Sequence, residues 1–197
     1  MLGSLLLAVA AANFAQPYPD LAPLQHIPTV ALAISAPWLL RRWPLSTGSV
    51  AMLWLFLLLH TIGGRYIYSY VPYEGWMADV TGQSIAHLTG MQRNGYDRLV
   101  HFSFGLLCTG AFAEMARRHG GMRRRAAWLL GFALIGLVSA LYEIFEWSLT
   151  ILAAPDMADQ YNGQQGDAWD AQKDMAAAQI GSALAWLAST LRPQKPV

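Results

Sequence analysis

The sequence predicts an all-α polytopic membrane protein. It reads as a bundle of about six transmembrane helices with a short interfacial helix outside, forming a single integral membrane domain over residues 1–197. Three observations carry this. Apolar residues make up 55% of the 197 and charged residues only 13%, whereas an average soluble domain is about 25% charged. The apolar residues gather into six runs, and mean hydropathy is positive. The basic residues fall on alternate connections between those runs.

The first run is LGSLLLAVAAANF (2–14). It is short, because a helix rises about 1.5 Å per residue and roughly 20 residues cross the hydrocarbon. It reads as a tilted or thin span. Its AVA and AAA triplets suggest a cleaved signal as the alternative, although no Lys or Arg precedes them. The second run, LQHIPTVALAISAPWLL (24–40), carries Pro28 and Pro37, which predict kinks. The third is SVAMLWLFLLLHTIG (49–63), the fourth LVHFSFGLLCTGAFAEM (99–115), the fifth AAWLLGFALIGLVSALYEIFEW (126–147), and the sixth covers about 174–191. In the sixth, Ala177, Gly181 and Ala185 form a small-residue stripe suited to close packing.

Two longer connections separate these runs. Residues 65–96 open with the aromatic-rich RYIYSYVPYEGW. In the following MADVTGQSIAHLTGM, Met77, Val80, Ile85 and Leu88 predict one short interfacial helix. Residues 154–173 form an acidic Gly/Gln/Asp loop, in which Gly163 and Gly166 read as turn residues.

Orientation follows from the arginines. With six spans, Arg41, Arg42, the ARRHGGMRRRA connection and the C-terminal tail share one side. That side holds nine of the 13 basic residues and one acid, Glu114. The positive-inside rule makes it cytoplasmic, with both termini there. The other eleven acids face outward. A net charge of +1 gives no reason to expect nucleic acid as a partner. The single cysteine, Cys108, lies in an apolar run and reads as packing.

The ionisable residues beside the spans converge on the outer side. His60 ends the third run, and Asp97, Arg98 and His101 open the fourth. Glu143 and Glu146 end the fifth; Asp167, Asp170 and Asp174 open the sixth. Asp97 and His101 share a helix face at i,i+4, as do Asp170 and Asp174, and Glu143 and Glu146 share one at i,i+3. Arg98 is the leading basic partner, with Arg65, Lys173 and the two histidines behind it. The acids outnumber them, which favours a bound cation or retained protons. A charge near hydrocarbon costs several kcal/mol, on the order of 3 or more, unless paired or hydrated.

Three readings follow. In the first, His60, Asp97, His101, Glu146, Asp170 and Asp174 hold a divalent metal ion. Glu143, Glu146, His101 and Arg98 are then the catalytic candidates: a carboxylate general base, an imidazole that Asp97 orients, and a guanidinium for an anionic headgroup. Oxygen ligands suit magnesium, calcium or manganese, and histidine admits zinc or iron. In the second reading the carboxylates are proton or cation sites of a transporter or lipid carrier. In the third they lock the helices of a non-catalytic scaffold.

HTIGGRYIYSYVP (60–72), NGYDRLVHFSFG (94–105), ALYEIFEW (140–147) and GQQGDAWDAQKDMAAAQIG (163–181) together resemble the YjdF-like family of bacterial inner-membrane proteins, over nearly the whole chain. The resemblance implies a six-helix inner-membrane protein and no established activity. A more distant similarity is to VanZ-like proteins. These open one helix with Asp-basic-x-x-His-Phe, matched by Asp97, Arg98, His101 and Phe102. Glu143 or Glu146, then Asp170, Asp174 and Gly181, correspond to their later motifs, while Ala178 departs from the Asn they tend to have there. That similarity implies a connection to envelope lipids or peptidoglycan. The combined expectation is a multi-pass inner-membrane protein whose partners are membrane lipids. It would act as a metal-dependent hydrolase or transferase on a lipid or lipid-linked envelope substrate, with transporter or scaffold as the alternatives.

Overall fold

A computed structural model describes residues 1–19, 22–90, 93–152 and 165–191. The described residues form eight helices and no strand. Helix α1 (Leu2–Asn13) is followed by α2 (Ala22–Arg42), which runs through both Pro28 and Pro37. Helix α3 (Thr47–Arg65) starts at Ser46, whose hydroxyl caps the Ser49 amide. Helices α4 (Tyr73–Thr81) and α5 (Ile85–Thr89) are short, and the long α6 (Tyr96–Gly120), α7 (Arg124–Leu152) and α8 (Asp170–Leu191) complete the chain.

Three of these are long and apolar enough to cross a membrane: Thr47–Arg65, Tyr96–Gly120 and Arg124–Ser148. Helices α2 and α8 have 21 and 22 residues but are interrupted by polar and small side chains. Helix α1 has only 12 residues.

The single interfacial helix expected over 77–91 is two helices instead. Gly82, at φ 75°, stops α4 in the left-handed conformation, and Ser84 caps the restart by accepting from the His87 amide. Val80 and Leu88, expected on its apolar face, are both well exposed.

Helix α6 is the centre of the bundle, packing against α3, α7 and α8, while α7 also meets α8. Helices α1, α2 and α3 pack on one another. Small residues make the α6–α8 crossing. A methyl group on Gly105 would overlap the Ala178 carbonyl, and one on Gly181 would overlap the Phe102 carbonyl. The stripe expected on Ala177, Gly181 and Ala185 is therefore rotated: Ala178, Gly181 and Ser182 are its buried centre, with Ala177 and Ala185 half-buried at its edge. Below this crossing Thr109 donates to Ser182 Oγ at 2.7 Å. Cys108 packs with Ile135 and Ala178, as a buried apolar residue would.

The crossing has a consequence for the ends of the helices. It brings the first turns of α6 and α8 side by side, at the end of the bundle away from Arg41, Arg42, Arg117 and Arg118. This acidic end carries the candidate site.

Candidate functional site

Two loops are tied together before α6 and α8 begin. The Asn94 amide donates to Gln165 Oε1 at 2.9 Å, and Gln165 Nε2 donates to the Asn94 carbonyl at 3.0 Å. Asn94 Nδ2 reaches the Val71 carbonyl at 2.8 Å, and the Gly95 amide donates to the Tyr73 hydroxyl at 2.8 Å. Helix α6 starts three residues earlier than its apolar run, and α8 four residues earlier than expected. Asp97 and Asp170 therefore fall in first turns, where the helix dipole favours a carboxylate.

Asp97, Asp170 and Asp174 are 6%, 3% and 2% exposed. Each offers an oxygen, and these three atoms lie within 4.8 Å of one another. Two ligands on one cation, at about 2.3–2.6 Å each, are at most about 5 Å apart, so the spacing suits a single calcium-sized ion.

Cations already touch part of this group. Arg93 Nη1 lies 2.5 Å from Asp170 Oδ1 and 3.3 Å from Asp167 Oδ2. Arg98 Nη2 lies 2.7 Å from Asp170 Oδ1 and 3.1 Å from Asp167 Oδ2. Lys173 Nζ donates to both oxygens of Asp167 at 2.7 and 2.9 Å. Those Lys173 bonds and the Trp169 amide hold the Asp167 carboxyl well below the usual carboxylate range. Asp174 is served less well: its Oδ1 is buried without a hydrogen-bond donor, and Arg98 Nε stands 3.5 Å away.

Helix α7 supplies the other wall. His101 Nε2 lies 3.4 Å from Glu143 Oε1 and 3.7 Å from Asp97 Oδ1. Both distances exceed an ordinary hydrogen bond of about 2.7–3.2 Å, so the ring edge sits between two carboxyl groups. Ser139 Oγ is 3.5 Å from its other nitrogen. Glu143 Oε1 is buried without a hydrogen bond, and Glu146, also buried, is hydrogen-bonded by Tyr142 one turn earlier. Because α7 continues to Leu152, these glutamates lie nine and six residues inside the helix rather than at its unfavourable last turn.

Six carboxyl groups thus face three permanent cations: Asp97, Glu143, Glu146, Asp167, Asp170 and Asp174 against Arg93, Arg98 and Lys173. With His101 neutral, the formal sum is −6 + 3 = −3.

Several expected residues stand elsewhere. His60 borders the same cavity as Asp97 and His101, but both its ring nitrogens are taken. Nε2 meets the Gln25 carbonyl at 3.1 Å, and Nδ1 meets the Tyr68 hydroxyl in a short contact. It is a helix-linking histidine and not a free ligand. Arg65, expected among the acids, instead donates to the Ala11, Ala12 and Phe14 carbonyls and closes the end of α1. Arg98, by contrast, is engaged by three aspartates, as the leading basic partner of the acids would be, so its guanidinium is not free for a headgroup. Arg93 was not anticipated. Asp156 and Asp159 lie outside the described residues, as does Gly163, whereas Gly166 adopts a left-handed turn conformation at φ 80°.

Comparison with known proteins follows the same outline. The family described as "Predicted membrane protein (DUF2238)" matches residues 1–195. The chain is 34% identical over 145 residues to the inner membrane protein YjdF of Escherichia coli (strain K12), which covers 72% of this chain. It spans just under two thirds, 64%, of the length of that curated relative. No solved structure matches.

Proposed function

The chain belongs to the DUF2238 family of predicted membrane proteins, and from that premise we propose that it is a metal-dependent hydrolase or transferase acting on a membrane lipid or lipid-linked envelope substrate. Six crossings, made by α1, α2, α3, α6, α7 and α8, account for the alternation of basic and acidic connections. Both termini are then cytoplasmic, and the acidic centre lies at the extracytoplasmic surface of the inner membrane.

One observation supports the centre most directly. Three buried aspartates from two helices converge within 4.8 Å, yet one oxygen of Asp174 has no hydrogen-bond donor. A divalent cation would satisfy that oxygen and lower the net charge from −3 to −1. Bound there, it would polarise a phosphate or carbonyl oxygen and acidify a water. Glu143, beside His101 and lacking a hydrogen bond at Oε1, is placed to take a proton from that water. Glu146 shapes the field behind it. Arg93 and Arg98 balance Asp170, and at Asp174 Oδ1 the ion would displace the long 3.5 Å approach of Arg98 Nε.

The test is a melting experiment with elemental analysis of detergent-purified protein. At a cation concentration about 100-fold above Kd, binding adds about 2.7 kcal/mol. For a chain this size that is on the order of 5–10 °C in Tm. Chelation should remove it and a divalent ion restore it, and both responses should shrink in Asp174→Asn and Glu146→Gln. If no metal co-purifies and wild-type melting ignores chelator and cation alike, the metal reading fails and the ion-pair scaffold takes its place.

The orientation has its own expected outcome. A cysteine replacing Ser84, which caps α5, should react with a membrane-impermeant thiol reagent in intact spheroplasts. Cys108 is 1% exposed and should be removed from the background. Labelling seen only after lysis would reverse the assignment.

A further inference from the structure

A cavity of about 260 Å³ lies against the acid cluster. Helices α3 and α6 form its floor, because they pack on each other. Helix α2, which packs on α1 and α3, is one wall; α7, which packs on α6 and α8, is the other. On α2, α3 and α6 the polar lining residues Thr29, His60 and His101 stand nearer the acidic end than Leu32, Phe56 and Phe104, while on α7 Ser139 and Val138 line it side by side. The deeper half of the cavity is therefore apolar.

Two details say what such a space takes. Leu32 and Val138 are 49% and 40% exposed although both line it, so the cavity opens sideways between α2 and α7 onto the surface that meets lipid. Thr29 is wholly buried, and its Oγ1 has no hydrogen-bond partner. An unpaired buried hydroxyl is destabilising unless a ligand or water satisfies it. Ligand pockets usually measure about 300–1,000 Å³, so this one is small and takes a segment of a single hydrocarbon chain rather than a whole lipid.

We propose that the groove between α2 and α7 takes one acyl chain of a membrane glycerolipid. The chain enters sideways, its methylenes lie on Leu32, Phe56, Phe104 and Val138, and its ester oxygen accepts from the Thr29 hydroxyl once that closed-off side chain turns toward the groove. The polar head then stands beside Asp97 and His101. The inference deepens the proposed function and rests on it only in taking the acid cluster as the place where the head is handled. Chain capture itself needs no cation.

The test uses the full-length protein in proteoliposomes containing a phosphatidylcholine with a diazirine midway along one acyl chain, in chelator. After irradiation, cross-linked residues are mapped by mass spectrometry. Adducts should concentrate on Leu32, Phe56, Phe104 and Val138. Val138→Trp and Leu32→Trp, each filling the groove, should reduce them at least fivefold. Leu137→Trp, on the neighbouring exposed face of α7, should leave them unchanged. Thr29→Val should halve them or more while the protein stays monodisperse. Adducts spread evenly over Leu137, Leu141 and Ile144 would overturn the proposal. So would capture insensitive to both tryptophans, or a second copy of the chain cross-linked across the groove. Because the experiment is run without metal and without turnover, its failure does not depend on the failure of the enzyme reading.

Discussion

Gly105→Val and Gly181→Val are expected to cost the protein its folded, monodisperse state in detergent. In each case the new Cβ lands on a backbone carbonyl, that of Ala178 or Phe102, and not on the tip of a flexible side chain. No rotamer change relieves the clash, so α6 and α8 must separate. Inserting even a methyl group into a packed interior typically costs about 1–3 kcal/mol, and more where the backbone cannot yield. Membrane helices depend on such close small-residue contacts, because lipid supplies no hydrophobic drive for them to associate. Gly105→Ala should already lower Tm by on the order of 5 °C or more. Gly75→Ala is the control, since its Cβ meets nothing within 4 Å. If Gly105→Ala melts within a degree of wild type, α6 and α8 do not cross this closely. The effect should also reach the acid cluster. Gly105 is eight residues below Asp97, and Gly181 seven below Asp174, so a wedge between these helices spreads the aspartates they carry.

The residues that were legible in the sequence and those that were not differ in physical kind. Asp97 with His101, and Asp170 with Asp174, could be paired because both members of each pair ride one helix, where spacing alone sets the face. Glu143 could be grouped with them by its depth along its own apolar run. Arg93 could not. It stands four residues before Asp97, but ahead of the helix, where periodicity carries no direction. Its reach to Asp167 and Asp170 depends on the pairing of Asn94 with Gln165 across 71 residues. The partners of His60 were hidden for a related reason. Its partner Tyr68 is delivered by a turn in which Ile67 and Tyr68 have φ of 44° and 56°. No local signal marks a β-branched or aromatic residue for that conformation. Arg65 was grouped with the acids because it ends the third apolar run on their side, yet α1 folds back within its reach. The small-residue stripe was read one residue away from its true centre, because sequence shows which face is small but not which neighbour it meets.

The two arginines offer the other large effect. Replacing both, as Arg93→Gln with Arg98→Gln, leaves Asp170 at 3% exposure with neither cation beside it. Removing the partner of a buried charge costs about 3–5 kcal/mol. Both arginine side chains retain some exposure, 17% and 29%, so the lower figure applies, on the order of 10 °C in Tm for a chain of this length. The two functional readings then part company. If the cluster exists only to lock helices, the loss belongs to the pairing itself. Adding Asp170→Asn should recover most of it, giving a coupling energy of about 2 kcal/mol or more in the double-mutant cycle. A divalent ion should change nothing. If the cluster holds a cation, removing the arginines takes the formal charge from −3 to −5. The ion should then stabilise the arginine variant more than it stabilises wild type, because a more negative cluster binds it more strongly. Asp170→Asn, which removes one of the three converging carboxylates, should abolish that gain along with its own rescue. The sign of the cation response in the arginine-free protein therefore decides what the buried aspartates are for: a lock needs its arginines back, whereas a metal centre accepts the ion in their stead.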